Sequence, residues 1–289
     1  MKLGIIGGSG AMGKWFARAA VAEKIDVIIS GRDGVKLHKA GEELGVSTGS
    51  NIDVVKNAQF VIVSVSPDQF EAVIKEIAPF VRPGQFIFDV TSVKTGPVEI
   101  MHRYIKKGTI LGTHPVFGPG AKNFTNQNVV LTPVSDNEKA VAATAKAFLE
   151  QRGANVSVMS PEEHDRIMTV VLGLAHFIAI VSADTLLSFD NFAEMKKIGG
   201  TTFKVLYTLV ESVISEDPQL YASLQMSFPH IAEVESKFLS STQAWAEMVK
   251  NGDRDGFANK MAALHAKLEK TDPSFRKAYA NMYKITEKL

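Results

Sequence analysis

The segment with the clearest potential for chemistry covers residues 112–119 and reads Gly-Thr-His-Pro-Val-Phe-Gly-Pro. It follows a short apolar strand predicted over residues 109–111, and its glycines and prolines indicate a rigid loop. Ligands of open α/β sheets bind beyond the carboxyl ends of the strands, where such a loop would lie. An imidazole with an ordinary pKa of ~6.5 suits proton abstraction near neutral pH. We therefore predict that His114 is a general base, the alternative being a histidine that caps a turn.

A glycine-rich motif near the start of the chain predicts a dinucleotide site. Residues 8–13 read Gly-Ser-Gly-Ala-Met-Gly and stand between a strand predicted over residues 2–6 and a helix predicted over residues 14–22. This spacing permits a tight turn, a close approach of the backbone to a pyrophosphate, and a helix whose N–H groups face the phosphates. An incidental glycine-rich turn is the alternative. The predicted cofactor contacts are Gly8, Ser9, Gly10, Ala11, Met12 and Gly13, with Ser64 and Val65 at the end of a later strand.

The end of the second predicted strand, residues 26–30, bears on which nicotinamide cofactor is used. An acidic residue here would bind the ribose 2′-hydroxyl of NAD, whereas a hydroxyl group and an arginine suit the 2′-phosphate of NADP. Ser30 and Arg32 occupy this position, and Asp33 directly follows them. The sequence therefore favours NADP and keeps NAD as the alternative.

Two further polar features lie in apolar surroundings. Residues 91–94, Thr-Ser-Val-Lys, follow a strand predicted over residues 85–90. Two hydroxyl groups and an ammonium group at the end of a strand suit the orientation of a substrate hydroxyl or of the nicotinamide, and a helix cap is the alternative. His176 lies in an apolar helical stretch and therefore needs a buried partner. The spacing of the histidines does not indicate a metal site.

Length and composition restrict the class of protein. A chain of 289 residues predicts two domains. The formal net charge of +1 gives no general attraction to nucleic acid or to acidic membranes. The absence of cysteine excludes a disulfide scaffold and a thiolate metal site, and it fits a reducing cytoplasm. Because the first predicted strand begins at residue 2, we expect no signal peptide and a cytoplasmic enzyme that acts on a small molecule.

The order of predicted elements indicates an α/β domain followed by a helical one. Strand-like runs alternate with helical segments as far as residue 158, which calls for a mostly parallel sheet covered by helices. Beyond Ser160 the remaining chain reads as helices. We place a dinucleotide-binding domain at residues 1–157 and a helical domain for substrate binding and dimerisation at residues 158–289. The strand-like runs are residues 2–6, 26–30, 60–65, 85–90, 109–111, 128–132 and 155–158.

Residues 167–187 form an unusually apolar stretch. They lack Lys and Arg over a length that could span a bilayer. They also contain His176, Ser182 and Asp184, which are costly at membrane depth. We therefore expect no membrane span, but a helix buried on most sides in the interface of a homodimer.

Five segments in the same order over about residues 1–230 together resemble the prephenate and arogenate dehydrogenases of tyrosine biosynthesis. The resemblance implies an NAD(P)-dependent oxidative decarboxylation of prephenate to 4-hydroxyphenylpyruvate. It also implies a Rossmann-type domain followed by an all-helical domain that forms an intertwined dimer. The segments are residues 8–13, residues 89–94 (Asp-Val-Thr-Ser-Val-Lys), residues 112–119, the pair His164-Asp165 with His176 twelve residues later, and residues 217–221 (Asp-Pro-Gln-Leu-Tyr).

The resemblance also implies roles for individual residues. His114 would accept the proton of the ring hydroxyl while the carbon beneath it gives hydride to the nicotinamide. Ser92 would hold this histidine and the substrate hydroxyl in line, and His176 would line the substrate site from the helical domain.

Prephenate, the substrate that the resemblance implies, is a dianion, so its binding requires a cation. Where many relatives carry an Arg on the helix before the Asp-Pro turn, this chain has Lys204, which departs from the family pattern and weakens bidentate recognition of a carboxylate. Lys94 and Gly118 complete the predicted substrate-binding set.

Alternative functions remain open from the sequence. One is another NADP-dependent dehydrogenase of Rossmann-plus-helical type, acting on arogenate or on a β-hydroxy acid. The other is a non-catalytic NADP sensor, although such a protein would need no base at His114.

Overall fold

The computed structural model describes residues 2–287, which form two compact units. The first comprises residues 2–168 and 226–229, and the second comprises residues 169–225 and 230–287. The first unit is an α/β unit built on one sheet, and the second is helical. The predicted fold class, a Rossmann-type mostly parallel sheet followed by a helical domain, is therefore confirmed.

The strands of the first unit belong to a single sheet. In chain order they are β1 (Lys2–Ile6), β2 (Asp26–Ser30), β3 (Ser47–Thr48), β4 (Phe60–Val63), β5 (Phe86–Asp89), β6 (Thr109–Pro115), β7 (Asn128–Thr132) and β8 (Asn155–Val158). Their order in the sheet is β3-β2-β1-β4-β5-β6-β7-β8. Every neighbouring pair is parallel except β6 and β7, which are antiparallel.

Helices cover this sheet and form the second unit. Those that begin and end in the first unit are α1 (Ala11–Ala22), α2 (Gly34–Leu44), α3 (Asn51–Asn57), α4 (Pro67–Ile77), α5 (Thr95–Tyr104), α6 (Asp136–Glu150) and α7 (Pro161–Met168). The later helices are α8 (Ala175–Leu187), α9 (Phe192–Ile198), α10 (Thr201–Ile214), α11 (Pro218–Ser227), α12 (Ile231–Lys250), α13 (Arg254–Thr271) and α14 (Ala278–Thr286).

The apolar strand sequences explain why the core of the first unit lies on both faces of the sheet. Successive side chains of a strand point to opposite faces, so a strand covered on both sides reads as a continuous apolar run. Ile5 and Ile6 are both fully buried, yet they belong to two different hydrophobic clusters. Ile28 and Ile29 of β2 divide between the same two clusters. The short apolar runs therefore specify central strands of a covered sheet.

The position of His114 differs from the predicted loop. Strand β6 continues to Pro115, so His114 lies in a strand and pairs with Val130 of β7. The parallel pairing of β6 with β5 ends at Gly112, and the antiparallel pairing with β7 begins at the same residue. The sequence prediction stopped the strand too early because the polar residues after Leu111 interrupt its apolar pattern. His114 still lies beyond the carboxyl end of the parallel part of the sheet.

The other predicted strands agree with the structure to within a few residues. The predicted bounds of β1, β2, β7 and β8 are confirmed. Strand β3 was missed, because its two residues, Ser47 and Thr48, are polar and exposed and carry no apolar signal. Helix α1 begins at Ala11 rather than at Lys14, so the end of the glycine motif is already helical.

The compact first unit extends past the predicted domain boundary. That boundary lies after residue 157, whereas the unit also includes α7. The physical reason is burial: His164 and Asp165 of this helix lie in the interior. The assignment of separate functions to residues 1–157 and 158–289 stays a prediction.

A long helical segment runs from Pro161 to Leu187 and contains a π-helical turn at Thr169–Leu174. Within residues 2–287 it is the one helix long and apolar enough to cross a membrane by length and composition alone. Only 17% of the apolar 18-residue stretch of this helix is buried within the single chain. Asp184, in the same helix, is exposed. Part of this apolar surface is therefore left uncovered within the single chain.

Gln85, at the start of β5, joins two elements of the first unit through its side-chain amide. Its Nε2 donates to the carbonyl oxygens of Val55 and Ala58, each at 2.7 Å, at the end of α3. Its Oε1 accepts a bond from the backbone N–H of Arg82 at 2.6 Å. The two bonds to carbonyl oxygens are buried, so these oxygens have no ready access to water as a replacement partner.

We predict that Gln85→Met destabilises the protein by roughly 3 kcal/mol. Methionine has a similar volume but leaves three backbone groups without their side-chain partner. Each lost partner costs ~1–3 kcal/mol, and local relaxation offsets part of this cost. Urea unfolding followed by the fluorescence of buried Trp15 would measure the change. Gln59→Met is the matched control, since Gln59 is exposed. Equal stability of the two variants would contradict the role given to Gln85.

Candidate active site

His114 is buried, and one of its ring nitrogens is bound inside the protein. It is 3% exposed, and its Nδ1 lies 2.8 Å from Nε2 of His164 on α7. Its Nε2 has no hydrogen-bond partner in the described chain. This atom is nevertheless not fully closed to solvent. The nitrogen that remains for chemistry is therefore Nε2.

His164 is in turn bound to the next residue of the same helix. Its Nδ1 lies 2.7 Å from Oδ1 of Asp165, and the ring is fully buried. The rings of His114 and His164 meet edge to face, with centroids 5.0 Å apart. The three side chains thus form one hydrogen-bonded row inside the first unit, from Asp165 through His164 to His114.

Asp165 also binds the N-terminus of α5. Its Oδ1 accepts from the backbone N–H of Lys94 at 2.6 Å, and its Oδ2 accepts from that of Thr95 at 2.9 Å. Burial opposes ionisation of this carboxyl, but the hydrogen bonds from His164, Thr95 and Lys94 outweigh it and lower the pKa of Asp165. The carboxylate is therefore ionised at neutral pH, at a helix end where the dipole favours a negative charge.

The ammonium of Lys94 is enclosed in the same region. It is paired with Asp89 at the end of β5 and donates to the carbonyl oxygen of Thr113 at 2.6 Å. Asp89 also accepts from the hydroxyl of Thr91 at 2.6 Å. Burial lowers the pKa of Lys94, and the attraction of Asp89 offsets part of this change. Lys94 is 0% exposed. This corrects its prediction as a substrate-binding cation, because the charge is already satisfied by protein groups and is closed to solvent.

These surroundings keep His114 uncharged at neutral pH. Burial lowers its pKa well below 6.5, and the nearby positive charge of Lys94 and the ring of His164 lower it further. A neutral imidazole with an available Nε2 is the form that accepts a proton. The arrangement can therefore perform general base chemistry, and the catalytic role predicted for this residue stays a prediction.

Two other predicted site residues lie near this row in sequence but do not join it. Ser92 is half-buried, and its hydroxyl makes no hydrogen bond to any residue within 2–287. Gly118 is exposed and would accommodate a Cβ without a close contact. Their predicted contacts with a substrate stay predictions.

The glycine-rich turn has the geometry that a dinucleotide pyrophosphate requires. Gly7 adopts a φ of 81°, and a Cβ on it would meet the carbonyl oxygen of Ser64 at 2.0 Å. A Cβ on Gly13 would meet the carbonyl oxygen of Gly7 at 2.3 Å. Helix α1 begins directly after Gly10, and no side chain caps it. Its first N–H groups are therefore available to phosphate oxygens, so the residues present fit a dinucleotide.

The three candidate residues at the end of β2 differ in solvent exposure and in hydrogen bonding. The hydroxyl of Ser30 is buried and donates to Oδ1 of Asn51 at 2.7 Å, which corrects its prediction as a cofactor contact. Asp33 caps α2, because its Oδ1 accepts from the N–H groups of Val35 and Lys36 at 3.0 Å each. Arg32 is exposed. Arg32 and Asp33 are therefore both presented to solvent, but one carboxylate oxygen of Asp33 is already bound to the start of α2.

Two candidate residues belong to the second unit, which is described by itself. His176 of α8 packs edge to face on Tyr221 with a centroid distance of 4.9 Å, and its buried Nδ1 has no partner within the described residues. Burial lowers its pKa. Lys204 of α10 is exposed, and its ammonium forms no ion pair in the described part of the chain. The ammonium of Lys204 thus has binding capacity left, whereas Nδ1 of His176 is closed to solvent, and the predicted roles of both residues stay predictions.

The sequence reasoning assigned no role to Asp89, His164 or Asp165, which the structure places in the centre of the site. Each stood in a quoted motif, Asp89 before the Thr-Ser-Val-Lys turn and His164-Asp165 after the last strand. The available signal was that these ionisable residues belong to segments shared with the resembled family. Their partner, His114, is 50 residues away from His164 along the chain, so local spacing could not connect them.

Comparison with known proteins gives matches over both parts of the chain. A family model described as "Prephenate dehydrogenase, nucleotide-binding domain" matches residues 16–158, and one described as "Prephenate dehydrogenase, dimerization domain" matches residues 160–263. A structure of prephenate dehydrogenase from A. aeolicus, in complex with hydroxyphenyl propionate and NAD+, has a TM-score of 0.76 at 21% identity. That match covers 94% of this chain and 98% of the other, and it shows a common fold.

Two relatives of this chain have longer sequences. A probable arogenate/prephenate dehydrogenase of Methanocaldococcus jannaschii is 39% identical over 272 residues, which are 92% of this chain and 61% of that protein. The T-protein of Haemophilus influenzae is 27% identical over 261 residues, which are 89% of this chain and 64% of that protein. This chain therefore spans less than two thirds of the length of these relatives.

We predict that Lys94→Met destabilises the protein by about 3–5 kcal/mol, because it leaves the buried carboxylate of Asp89 without its counter-charge. Urea unfolding would measure the loss. Lys107→Met is the control, since Lys107 is exposed. Adding Asp89→Asn to Lys94→Met should recover part of the stability by removing the unpaired charge. A Lys94→Met protein as stable as the control would exclude the structural role.

Proposed function

Because this chain belongs to the prephenate dehydrogenase family, we propose that it catalyses the NADP-dependent oxidative decarboxylation of prephenate to 4-hydroxyphenylpyruvate. The family assignment rests on the two matches that together cover most of the chain. The substrate, the cofactor and the roles of individual residues are the content of the proposal.

The observation that carries the proposal is the state of His114. Oxidation of an alcohol requires a group that takes the hydroxyl proton while hydride leaves the carbon. His114 is held neutral, its Nδ1 is bound to His164, and its Nε2 remains for a ligand. A protein that only sensed a cofactor would have no use for such a base.

In the proposed reaction, Nε2 of His114 accepts the proton of the ring hydroxyl. A bound nicotinamide supplies the acceptor for the hydride that leaves the same carbon. The C–C bond to the ring carboxylate then breaks, carbon dioxide leaves, and its electron pair moves through the ring to the oxygen. The resulting aromatic phenolate takes the proton back from Nε2 of His114. Aromatisation drives the reaction, so the protein mainly contributes position and one base.

The cofactor would be held by the turn after β1 and by the start of α1. We propose Gly8, Gly10 and Gly13, with the N–H groups of Ser9, Ala11 and Met12, as the pyrophosphate site. Ser64 and Val65 would line it from the end of β4. The local geometry of the turn supports this assignment.

NADP is proposed over NAD from the groups at the end of β2. Arg32 is exposed there and suits a 2′-phosphate, whereas the Oδ1 of Asp33 is already used to cap α2. NAD remains the alternative cofactor.

Recognition of the substrate's carboxylates is proposed for the helical domain. Lys204 has an exposed ammonium with no ion pair in the described chain, and His176 has a buried Nδ1 without a partner there. The ammonium of Lys204 has capacity to bind an anion, and the ring of His176 is proposed to line the substrate site. Ser92 and Gly118 are proposed as further substrate contacts.

Arogenate is the second candidate substrate. It shares the ring chemistry of prephenate, and the relative from Methanocaldococcus jannaschii is described as a probable arogenate/prephenate dehydrogenase. Parallel assays with prephenate and arogenate, each with NADP and with NAD, would identify the pair in use through nicotinamide absorbance.

We further propose that residues 1–157 bind the cofactor and that residues 158–289 bind the substrate and form a cytoplasmic homodimer. The match to a dimerization domain and the uncovered apolar surface of the helix Pro161–Leu187 support this assembly.

We predict that His114→Asn lowers kcat by ~10²–10⁴-fold, the range for loss of a positioned base, without changing cofactor binding. The amide of Asn can still donate to Nε2 of His164, so the fold should persist. In the unchanged protein, kcat/KM should be level at neutral pH and fall only well below pH 6.5, as His114 becomes protonated. His265→Asn, at an exposed histidine, is the control. Normal turnover in His114→Asn would exclude the mechanism.

We predict that Arg32→Ala raises KM for NADP about tenfold or more, because a charge-assisted bond to phosphate contributes ~1.5–3 kcal/mol and ~1.4 kcal/mol corresponds to one decade. The KM for NAD should change little. Lys39→Ala removes a neighbouring exposed cation that pairs with Glu43, and it serves as the control. Steady-state kinetics with both cofactors would test this, and equal effects on NADP and NAD would reject the role of Arg32.

A further inference from the structure

A base that is buried beside a cation has two weaknesses. Neutral histidine exists in two tautomers, and only the one with a free Nε2 lone pair can accept a proton at that atom. Burial and the charge of Lys94 also disfavour the imidazolium that proton uptake produces. Some group must therefore select the tautomer and stabilise the charged form.

We propose that His164, oriented by Asp165, is a positioning residue that accepts the Nδ1 proton of His114 and thereby keeps Nε2 as the base. This inference rests on the proposed function for its kinetic consequences, but the tautomers themselves can be observed without any substrate.

The hydrogen-bond row defines the direction of each bond. The two oxygens of Asp165 accept backbone N–H groups from Lys94 and Thr95, and the carboxylate is ionised, so it can only accept. Nδ1 of His164, at 2.7 Å, must then carry a proton and donate it to Asp165. In the proposed arrangement this is the one proton that the ring of His164 carries, so its Nε2 is unprotonated. At 2.8 Å from this atom, Nδ1 of His114 must be the donor, which leaves its own Nε2 as the lone pair.

The same row stabilises the product of proton uptake. When Nε2 of His114 gains a proton, the bond from its Nδ1 to His164 becomes charge-assisted and therefore stronger. His164 is polarised by the anionic Asp165 behind it, in a fully buried position. The charged groups around the base are thus Lys94 with its partner Asp89 on one side and Asp165 behind His164 on the other.

Burial makes this orientation rigid. His164 is fully buried, and its neighbour Asp165 is fastened to the first two N–H groups at the start of α5. The ring of His164 cannot turn without breaking its bond to Asp165. A rigid acceptor therefore faces Nδ1 of His114 before any ligand is bound.

Two substitutions distinguish a role of His164 in orienting His114 from a role in only filling space. In His164→Asn the amide reaches only the position of Nδ1, so it can still bond to Asp165 but leaves His114 without an acceptor. In His164→Gln the amide reaches the position of Nε2, so its oxygen can accept from Nδ1 of His114. The second variant should therefore restore what the first one loses.

The first test is spectroscopic and uses the wild-type protein alone. In protein labelled with ¹⁵N at histidine, two-bond ¹⁵N–¹H correlations at pH 7.5 report the tautomer of each ring. We expect protonated Nδ1 and free Nε2 for both His114 and His164, assigned with His114→Asn and His164→Asn. A proton on Nε2 of His114 in the wild-type protein would overturn the proposal.

The second test is kinetic. His164→Asn should lower kcat by ~10²–10⁴-fold, the range for a misoriented base, with KM for substrate and cofactor within about threefold of wild type. His164→Gln should turn over at least about ten times faster than His164→Asn and keep the His114 tautomer in the NMR spectrum. Glu163→Gln, at an exposed position of the same helix, is the control.

The outcomes distinguish this inference from the proposed function. Unchanged turnover in His164→Asn, or equal losses in both His164 variants with the tautomer retained, would overturn the positioning role. A wild-type protein that oxidises neither prephenate nor arogenate would instead contradict the proposed function, while the tautomer measurement would still decide the role of His164.

Discussion

The carboxylate of Asp165 is the group on which the geometry of the candidate site depends. It binds the start of α5 through the N–H groups of Lys94 and Thr95, and it binds the ring of His164. One ionised side chain therefore joins a helix that follows β5 to a helix that follows the last strand. Through His164 the same carboxylate determines which nitrogen of His114 is left for a ligand.

The site concentrates buried charge, and this is stable only because each charge has a partner. Moving an isolated ion from water into the interior costs several kcal/mol, and the attraction of a partner offsets that cost when the hydrogen-bond geometry is good. Lys94 has Asp89 and a backbone carbonyl, while Asp165 has two N–H groups and a histidine. Such a set holds its members rigidly, because any rotation would leave a charge unpaired. That rigidity suits a base that must meet a substrate in one orientation.

Much of the fold could be predicted because its signals are local. The bounds of β1, β2, β7 and β8 follow from short apolar runs, since strands covered on both faces need continuous apolar sequence. The turn after β1 follows from glycines that the backbone geometry requires, as the φ of Gly7 shows. Strand β3 and the last residues of β6 were missed because their polar residues interrupt the apolar pattern, and their pairing depends on neighbouring strands.

For the site, the amino-acid sequence is enough to identify the chemical groups present: a histidine near the carboxyl end of a strand, a glycine-rich turn and an arginine at the end of β2. Which of these groups are accessible to a ligand depends on the folded chain. It placed Lys94 and Ser30 inside the protein, where their polar atoms already have partners, and it brought His164 and Asp165 behind His114. Burial and hydrogen bonding depend on residues that are distant in the chain. Lys94 and Asp165 are 71 positions apart, so no local sequence pattern indicates that they are hydrogen-bonded.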